Sequence, residues 1–210
     1  MDVHPRPVRS AALALLLCAA ALLAAPRGAA ADAIVGQPAP AFTLTGTDGK
    51  PHSLSEYAGK LVVLEWFNHD CPFVRKHYGS GNMQKLQKKW TGQGVVWLSI
   101  NSSAPGKQGN YPPEEANELT KEKGAAPTAV LLDPDGTVGR AYGAKTTPHM
   151  FVVDPKGVLI YAGGIDDKPS TDPADVASAR NHVDQALTEA IAGKPVTVAT
   201  STPYGCSVKY

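Results

Sequence analysis

A cysteine followed directly by proline, Cys71-Pro72, is the residue pair in this sequence with the clearest potential for chemistry. The apolar run at residues 61–67 predicts a buried strand, and the polar residues 68–70 indicate that its end opens to solvent. Pro72 predicts a helix start, because the N–H that proline lacks would have no partner there. The positive N-terminus of that helix, with Arg75 one turn further on, stabilises a thiolate. The pattern therefore predicts a reactive Cys71, with a pKa below ~8.5, over the alternative of a buried and inert cysteine.

The elements around Cys71 predict an α/β fold with a central mixed β-sheet flanked by helices and an N-terminal β-hairpin. In such sheets ligands gather at the carboxyl ends of the strands, where Cys71 lies. We expect a kink near Gly79 and Gly81, and one amphipathic helix from the cap Asp172 to residue 192. The other predicted elements are a hairpin at 42–54, strands at 95–100 and 128–132, helices at 72–90, 112–123 and 138–142, and a hairpin at 150–161.

Thr147-Pro148 immediately precedes the apolar strand at 149–153. Proline before a strand is compatible with a cis peptide bond or with an ordinary loop. Its position after Cys71 in the chain favours the cis form and a place opposite the cysteine.

The first 31 residues have the three parts of a secretory signal peptide: Arg6 and Arg9, then an apolar run at 11–25, then small residues before a cleavage point. The run is short for a membrane span of ~20 residues, so we expect no stable membrane anchor after cleavage. The predicted division is a signal peptide at 1–31, a domain at 32–193 and a C-terminal tail at 194–210. The signal peptide predicts that the protein is exported, either to a bacterial periplasm or as a secreted protein.

Composition limits the partners and the redox chemistry. The formal net charge of the 210 residues is +1, which gives no electrostatic basis for binding nucleic acid. Of three cysteines, Cys18 lies in the signal peptide, so the exported chain keeps Cys71 and Cys206. Outside the cytoplasm, two thiols form either one bridge or a working pair.

The stretches VVLEWFNHDCPFVRKHY and TTPHMFVVDPKGVLIYAGGIDD resemble the thioredoxin-fold redoxin superfamily, in its alkyl hydroperoxide reductase/thiol-specific antioxidant and peroxiredoxin-like branch. The opening VGQPAPAFTLTGTDGKPHSLSEYAGKLVVLEWF is similar to the N-terminal hairpin of that branch. The resemblance covers about residues 34–192. It implies a thioredoxin-like fold and a thiol-dependent oxidoreductase.

The resemblance implies that Cys71 is catalytic and reacts with peroxide or disulfide substrates. Val74 stands where thioredoxins carry their second cysteine, so Cys206 is the candidate resolving thiol. A permanent Cys71–Cys206 disulfide and a free Cys206 thiol remain alternatives. The implied substrate-binding residues are Asn68, Pro72, Arg75, Thr147 and Pro148. Asn68 departs from the Thr or Ser that peroxiredoxins carry there, and Arg75 is the candidate activating arginine.

The implied partners are a peroxide or disulfide substrate and a thiol protein that supplies electrons. No glycine pattern for a nucleotide is present, and we expect no cofactor. A metal held by His69, Cys71, His77 and His149 is a weaker interpretation. The alternatives to a peroxidase are a thiol-disulfide oxidoreductase acting on proteins, and a non-catalytic binding or redox-sensing protein on the same fold.

Overall fold

The computed structural model describes residues 1, 2, 4 and 33–210 of the chain. The predicted signal peptide lies almost entirely outside these residues, and the domain division stays a prediction. Among the described helices, none combines the length and apolar character needed to cross a membrane.

In residues 33–210 the main sheet is mixed and has seven strands in the order β2-β1-β5-β4-β3-β7-β8. Strands β3, β4 and β5 run parallel, and the other pairings are antiparallel. A separate two-stranded ribbon joins β6 to β9. The strands are β1 (Thr43–Gly46), β2 (Pro51–Ser53), β3 (Val62–Trp66), β4 (Val96–Asn101), β5 (Ala129–Leu132), β6 (Thr146–Thr147), β7 (His149–Val153), β8 (Leu159–Gly163) and β9 (Cys206–Ser207).

Helices cover both faces of the sheet, as the continuous apolar runs of β3 and β4 require. The predicted kink near Gly79 and Gly81 is confirmed, because the chain there forms two helices rather than one. The predicted N-terminal hairpin is confirmed as β1 and β2. The α-helices are α1 (Pro72–Gly79), α2 (Asn82–Thr91), α3 (Pro113–Glu122), α4 (Thr137–Ala141) and α5 (His182–Ile191).

The prediction of one helix from Asp172 to residue 192 is wrong. Asp172 does cap a helix, but that helix is a short 3-10 segment at Pro173–Ser178. The chain then becomes extended at Ala179, and Asn181 caps α5 by accepting a hydrogen bond from the Asp184 N–H. A second cap inside an amphipathic pattern thus divides it into two elements.

The C-terminal tail, residues 194–210, crosses the edge of the domain that carries Cys71. It pairs with β8 through Ser201 and Ala162, then with β6 through Cys206 and Thr147. The end of the tail is held by Tyr210, whose hydroxyl donates to the Ala144 carbonyl at 2.8 Å. The tail is therefore part of the fold, and it carries Cys206 to a fixed place.

Candidate functional site

Cys71 is the capping residue at the N-terminus of α1, and Pro72 is its first helical residue, as predicted. The strand β3 brings the chain to this point, at the carboxyl edge of the parallel strands. The Cys71 side chain is fully buried. The expectation that residues 68–70 open the site to solvent is wrong, because Asn68 and His69 are also buried. The loop at 101–111 and the C-terminal tail cover this edge of the sheet. The polar residue types at 68–70 could not predict this, because the covering segments are distant in the chain.

The structure brings the two cysteines together. Strand β9 pairs antiparallel with β6 so that Cys206 lies opposite Thr147. The two sulfurs are 2.9 Å apart, and the Cys71 sulfur is 3.0 Å from the Thr147 carbonyl oxygen. Both cysteines are thiols in this state. A disulfide bond is about 2.05 Å long, so a small movement of the tail is enough to form one.

Two features of the backbone set this geometry. The Thr147–Pro148 peptide bond is cis, which confirms the sequence prediction. Gly205, next to Cys206, has a φ of +141° and packs directly on the Thr147 backbone, where a side chain would overlap the carbonyl oxygen. Glycine is the residue that permits both this backbone conformation and this close approach.

The pKa values of the two thiols are shifted in opposite directions. Burial raises the pKa of Cys71, but contacts with Cys206, with Thr147 and with the Val74 N–H in the first turn of α1 lower it more. Burial and the neighbouring Cys71 sulfur raise the pKa of Cys206 to about 11. Cys71 is thus the sulfur that ionises more readily, and Cys206 keeps its proton at neutral pH. While both are thiols, the Cys71 S–H donates toward the Cys206 sulfur.

The pH dependence of alkylation is expected to follow these shifts. In the reduced protein, the alkylation rate of Cys71 by iodoacetamide should reach half its maximum at a lower pH than that of an unperturbed cysteine, because the pKa of Cys71 is lowered. Cys206 should reach its own midpoint near pH 11. The measurement is peptide-resolved mass spectrometry across pH, with Cys206→Ala as the control, in which the Cys71 midpoint should rise. A Cys206 midpoint below that of Cys71 would contradict the assignment.

Two of the predicted site residues do not reach the sulfur atoms. The Asn68 amide donates to the Gln108 carbonyl at 3.1 Å and accepts from the Asp70 N–H at 2.8 Å, so it holds the loop above the site. The Arg75 side chain is 61% exposed and pairs with the Asp70 carboxylate at 3.1 Å. Arg75 therefore makes no direct contribution to the Cys71 pKa, and the first turn of α1 provides the positive end instead.

The histidines considered for a metal have different neighbours. His77 lies between Tyr204 and Asn82, and His149 accepts a hydrogen bond from the Lys145 N–H at 3.3 Å. His69 lies in the wall of a cavity beside the site. Among the described residues, no three His, Cys, Asp or Glu side chains converge as metal ligands do. Burial lowers the pKa of each of these three imidazoles to about 4, so all are neutral at pH 7.

The sequence interpretation missed a buried carboxylate below the site. Glu65 points into the core from β3 and accepts hydrogen bonds from four side chains on α1, α2 and β4. Burial raises its pKa despite these donors. A charged residue inside the apolar run at 61–67 was the feature of the sequence that could have predicted this buried carboxylate. Loss of this carboxylate would leave three of its four buried donors without an acceptor, at about 1–3 kcal/mol each, whereas Gln87 keeps its bond to the Tyr78 oxygen. The donors are Tyr78, Gln87, Trp97 and Ser99.

The second feature missed is the anchor of the tail at Tyr204. Its hydroxyl donates to Asp166, and the His77 Nε2 lies 3.1 Å from the same oxygen. Because the His77 Nδ1 accepts from Asn82 at 2.9 Å, the network places the His77 proton on Nε2. Tyr204 is two residues before Cys206, so this half-buried anchor fixes the position of Cys206 over α1.

A mixed sheet with a cysteine at the start of the helix after a central strand, facing a cis-proline, defines a thioredoxin-like protein. The solved structure of an uncharacterized conserved protein from Geobacillus kaustophilus superposes with a TM-score of 0.72 and 26% identity. The superposition covers 84% of this chain and 92% of that one. Residues 35–162 match the AhpC/TSA family model. The chain therefore belongs to the AhpC/TSA family, as the sequence resemblance predicted.

Two curated relatives carry names that describe thiol chemistry. One is the thiol-disulfide oxidoreductase ResA of Geobacillus kaustophilus, 30% identical over 124 residues, which are 59% of this chain and 65% of ResA. The other is the putative peroxiredoxin bcp of Coxiella burnetii, 30% identical over 125 residues, which are 59% of this chain and 76% of bcp. The chain thus spans less than two thirds of the length of ResA. The family match ends at residue 162, so the tail with Cys206 lies beyond it.

Proposed function

We propose that this protein is a thiol-dependent oxidoreductase in which Cys71 is the nucleophile and Cys206 is the resolving thiol. The observation that supports this most is the 2.9 Å separation of two sulfurs whose pKa values are shifted in opposite directions. A resolving thiol has to lie close to the first sulfur and leave the first attack to it, and the proximity and higher pKa of Cys206 meet both conditions.

With a peroxide, the Cys71 thiolate attacks one oxygen of the O–O bond. That bond breaks, an alcohol or water leaves after taking up a proton, and Cys71 becomes a sulfenic acid. The Cys206 sulfur then attacks the Cys71 sulfur and loses its proton, the sulfenic S–O bond breaks, the oxygen leaves as water with that proton, and a Cys71–Cys206 disulfide remains. A dithiol protein reduces this disulfide by exchange and is itself oxidised. Each cycle moves two electrons from the dithiol to the peroxide.

The burial of Cys71 favours a small substrate. The Cys71 sulfur is fully buried and the tail lies against it, so a small peroxide can reach the sulfur through a narrower opening than a disulfide on a folded protein would need. The Thr147 carbonyl and the first turn of α1 are the polar groups that adjoin the sulfur. We propose peroxides as the substrate class on this basis.

A protein disulfide is the second candidate, supported by the pairing of β6. Strand β6 is only two residues long, and its backbone is paired with β9 of the tail. If the tail leaves, the edge beside Thr147 is free to pair with an extended peptide, as sheet edges do in many peptide complexes.

The charged N-terminus and apolar run at residues 1–31 support export of the protein to an oxidising compartment.

The experiment is a single oxidation of reduced protein by hydrogen peroxide, followed by intact-mass analysis. The wild type should lose the mass of two hydrogens as the disulfide forms. Cys206→Ser should instead gain one oxygen, in a product that dimedone traps at Cys71, because the resolving thiol is absent. Insulin with its disulfides intact, presented in place of peroxide, should give the same disulfide in the wild type if proteins are substrates, with one insulin disulfide reduced for each Cys71–Cys206 disulfide formed. If Cys206→Ser neither gains oxygen with peroxide nor forms a mixed disulfide with insulin, the proposed function is wrong.

A further inference from the structure

A half-open cavity of about 110 Å³ lies beside the Cys71 site, between the carboxyl ends of β3, β4 and β5 and the helix α3. This is the edge of the sheet at which α/β proteins bind their ligands. The surface of the cavity is mainly apolar, and no residue in its lining is charged. Its principal walls are Phe67, His69, Asn101, Tyr111, Ala116 and Val130.

His69 is the unusual member of this wall. Its side chain is 3% exposed, and within the described residues neither ring nitrogen has a hydrogen-bond partner. A neutral imidazole has one N–H donor and one acceptor, and burying both unpaired is unfavourable. Its ring contacts Phe67 edge-on, at 4.9 Å between centroids, and packing alone does not satisfy these nitrogens.

The opposite wall is preorganised. The Asn101 amide donates to the Gly109 carbonyl at 2.9 Å, and the Asn110 amide donates to the Ser103 carbonyl at 2.9 Å. The Tyr111 hydroxyl donates to Asp70 at 2.7 Å, which fixes its ring at the mouth of the cavity. These bonds hold the loop at 101–111 in a defined shape without using His69.

We propose that this cavity binds a small, uncharged, mainly apolar organic molecule whose single hydroxyl or carbonyl group pairs with a ring nitrogen of His69. A closed cavity of about 150 Å³ with apolar walls holds a benzene ring. The cavity here is about 110 Å³ and open on one side, so it suits a ligand with a ring of that size, part of which extends out through the opening. The absence of charged residues in the lining disfavours anions and cations. The imidazole rotates about its Cβ–Cγ bond, a torsion with broad minima, to bring a nitrogen to the ligand.

This site is separate from the sulfur chemistry. The groups next to the Cys71 sulfur are Thr147 and Cys206, and neither lines the cavity. The proposal therefore does not depend on the proposed redox function, and its test needs no turnover.

The test is titration of the reduced protein with benzyl alcohol, followed by NMR of the backbone amides and of the histidine side chains. We expect shifts confined to the cavity residues and to the His69 ring nitrogens. The expected dissociation constant is on the order of 1 mM, as for a ligand of about eight non-hydrogen atoms. Benzoate and benzylammonium should bind at least about tenfold more weakly. Binding of benzoate as tight as that of benzyl alcohol, or no shift at the cavity, would overturn the proposal.

Two variants locate the ligand. Ala116→Leu fills the cavity and should abolish binding, whereas the matched control Ala58→Leu, at an exposed position outside this cavity, should bind as the wild type does. His69→Phe keeps an aromatic wall and removes the nitrogens. It should weaken benzyl alcohol about tenfold and leave toluene unchanged. If His69→Phe binds both probes as the wild type does, His69 is not the polar partner and the proposal fails.

Discussion

Replacing Cys71 with serine is expected to lower kcat/KM for peroxide at least about 10³-fold, because no other thiol in the described structure has a lowered pKa. Serine is slightly smaller, and its hydroxyl still reaches the Thr147 carbonyl, so the fold should be retained. The measurement is the rate of hydrogen peroxide consumption with dithiothreitol as the electron source. Thermal unfolding of the same sample checks that serine has not disturbed the core.

Cys206→Ser is the matched control, because it makes the same change at the other thiol. It should keep the first, stoichiometric reaction with peroxide and lose only the formation of the internal disulfide. The two variants together therefore separate attack from resolution. Equal peroxide consumption by the wild type and Cys71→Ser would exclude Cys71 as the nucleophile and favour a binding or sensing protein.

The part of the site that could be predicted from the sequence depends on local chemistry. A continuous apolar strand followed by Cys71-Pro72 is sufficient to place a cysteine at a helix start, because strand periodicity and the backbone preferences of proline are local. The local sequence of Thr147-Pro148 leaves the cis bond and an ordinary loop both open, and the order of this pair and Cys71 along the chain favours the cis form that the structure has.

The part that could not be predicted depends on contacts between distant segments. The burial of Asn68 comes from the loop at 101–111, and the burial of Cys71 involves a tail more than 130 residues away in the chain. Arg75 is one turn from Cys71 in sequence, but Asp70 attracts its guanidinium away from the sulfur. Residues 172–192 have a helical pattern throughout, but the first segment ends at Ser178, and Asn181, which caps α5, pairs with the distant Asp166.

Gly205→Ala is expected to release the part of the tail that carries Cys206. The added Cβ would overlap the carbonyl oxygen of Thr147 and lie 2.7 Å from its carbonyl carbon, both backbone atoms that have little room to move. The φ of +141° is also unfavourable for alanine. Since a displacement of about 1 Å between reacting groups costs about 100-fold in rate, we expect disulfide formation between Cys71 and Cys206 to slow about 100-fold. Cys71, without its cover, should be alkylated faster at a pH where it is fully ionised.

The measurement is the rate at which diamide oxidises the two thiols in stopped-flow mixing, which tests the tail without relying on peroxide chemistry. Gly193→Ala is the matched control, because Gly193 also has a positive φ, +68°, but has open space where a Cβ would lie. The control should carry the strain of the substitution without displacing Cys206, and its rate of disulfide formation should equal that of the wild type. If Gly205→Ala oxidises as fast as Gly193→Ala, the Thr147 contact does not set the position of Cys206. In that case Tyr204, bound to Asp166 and close to His77, is sufficient to hold the thiol in place.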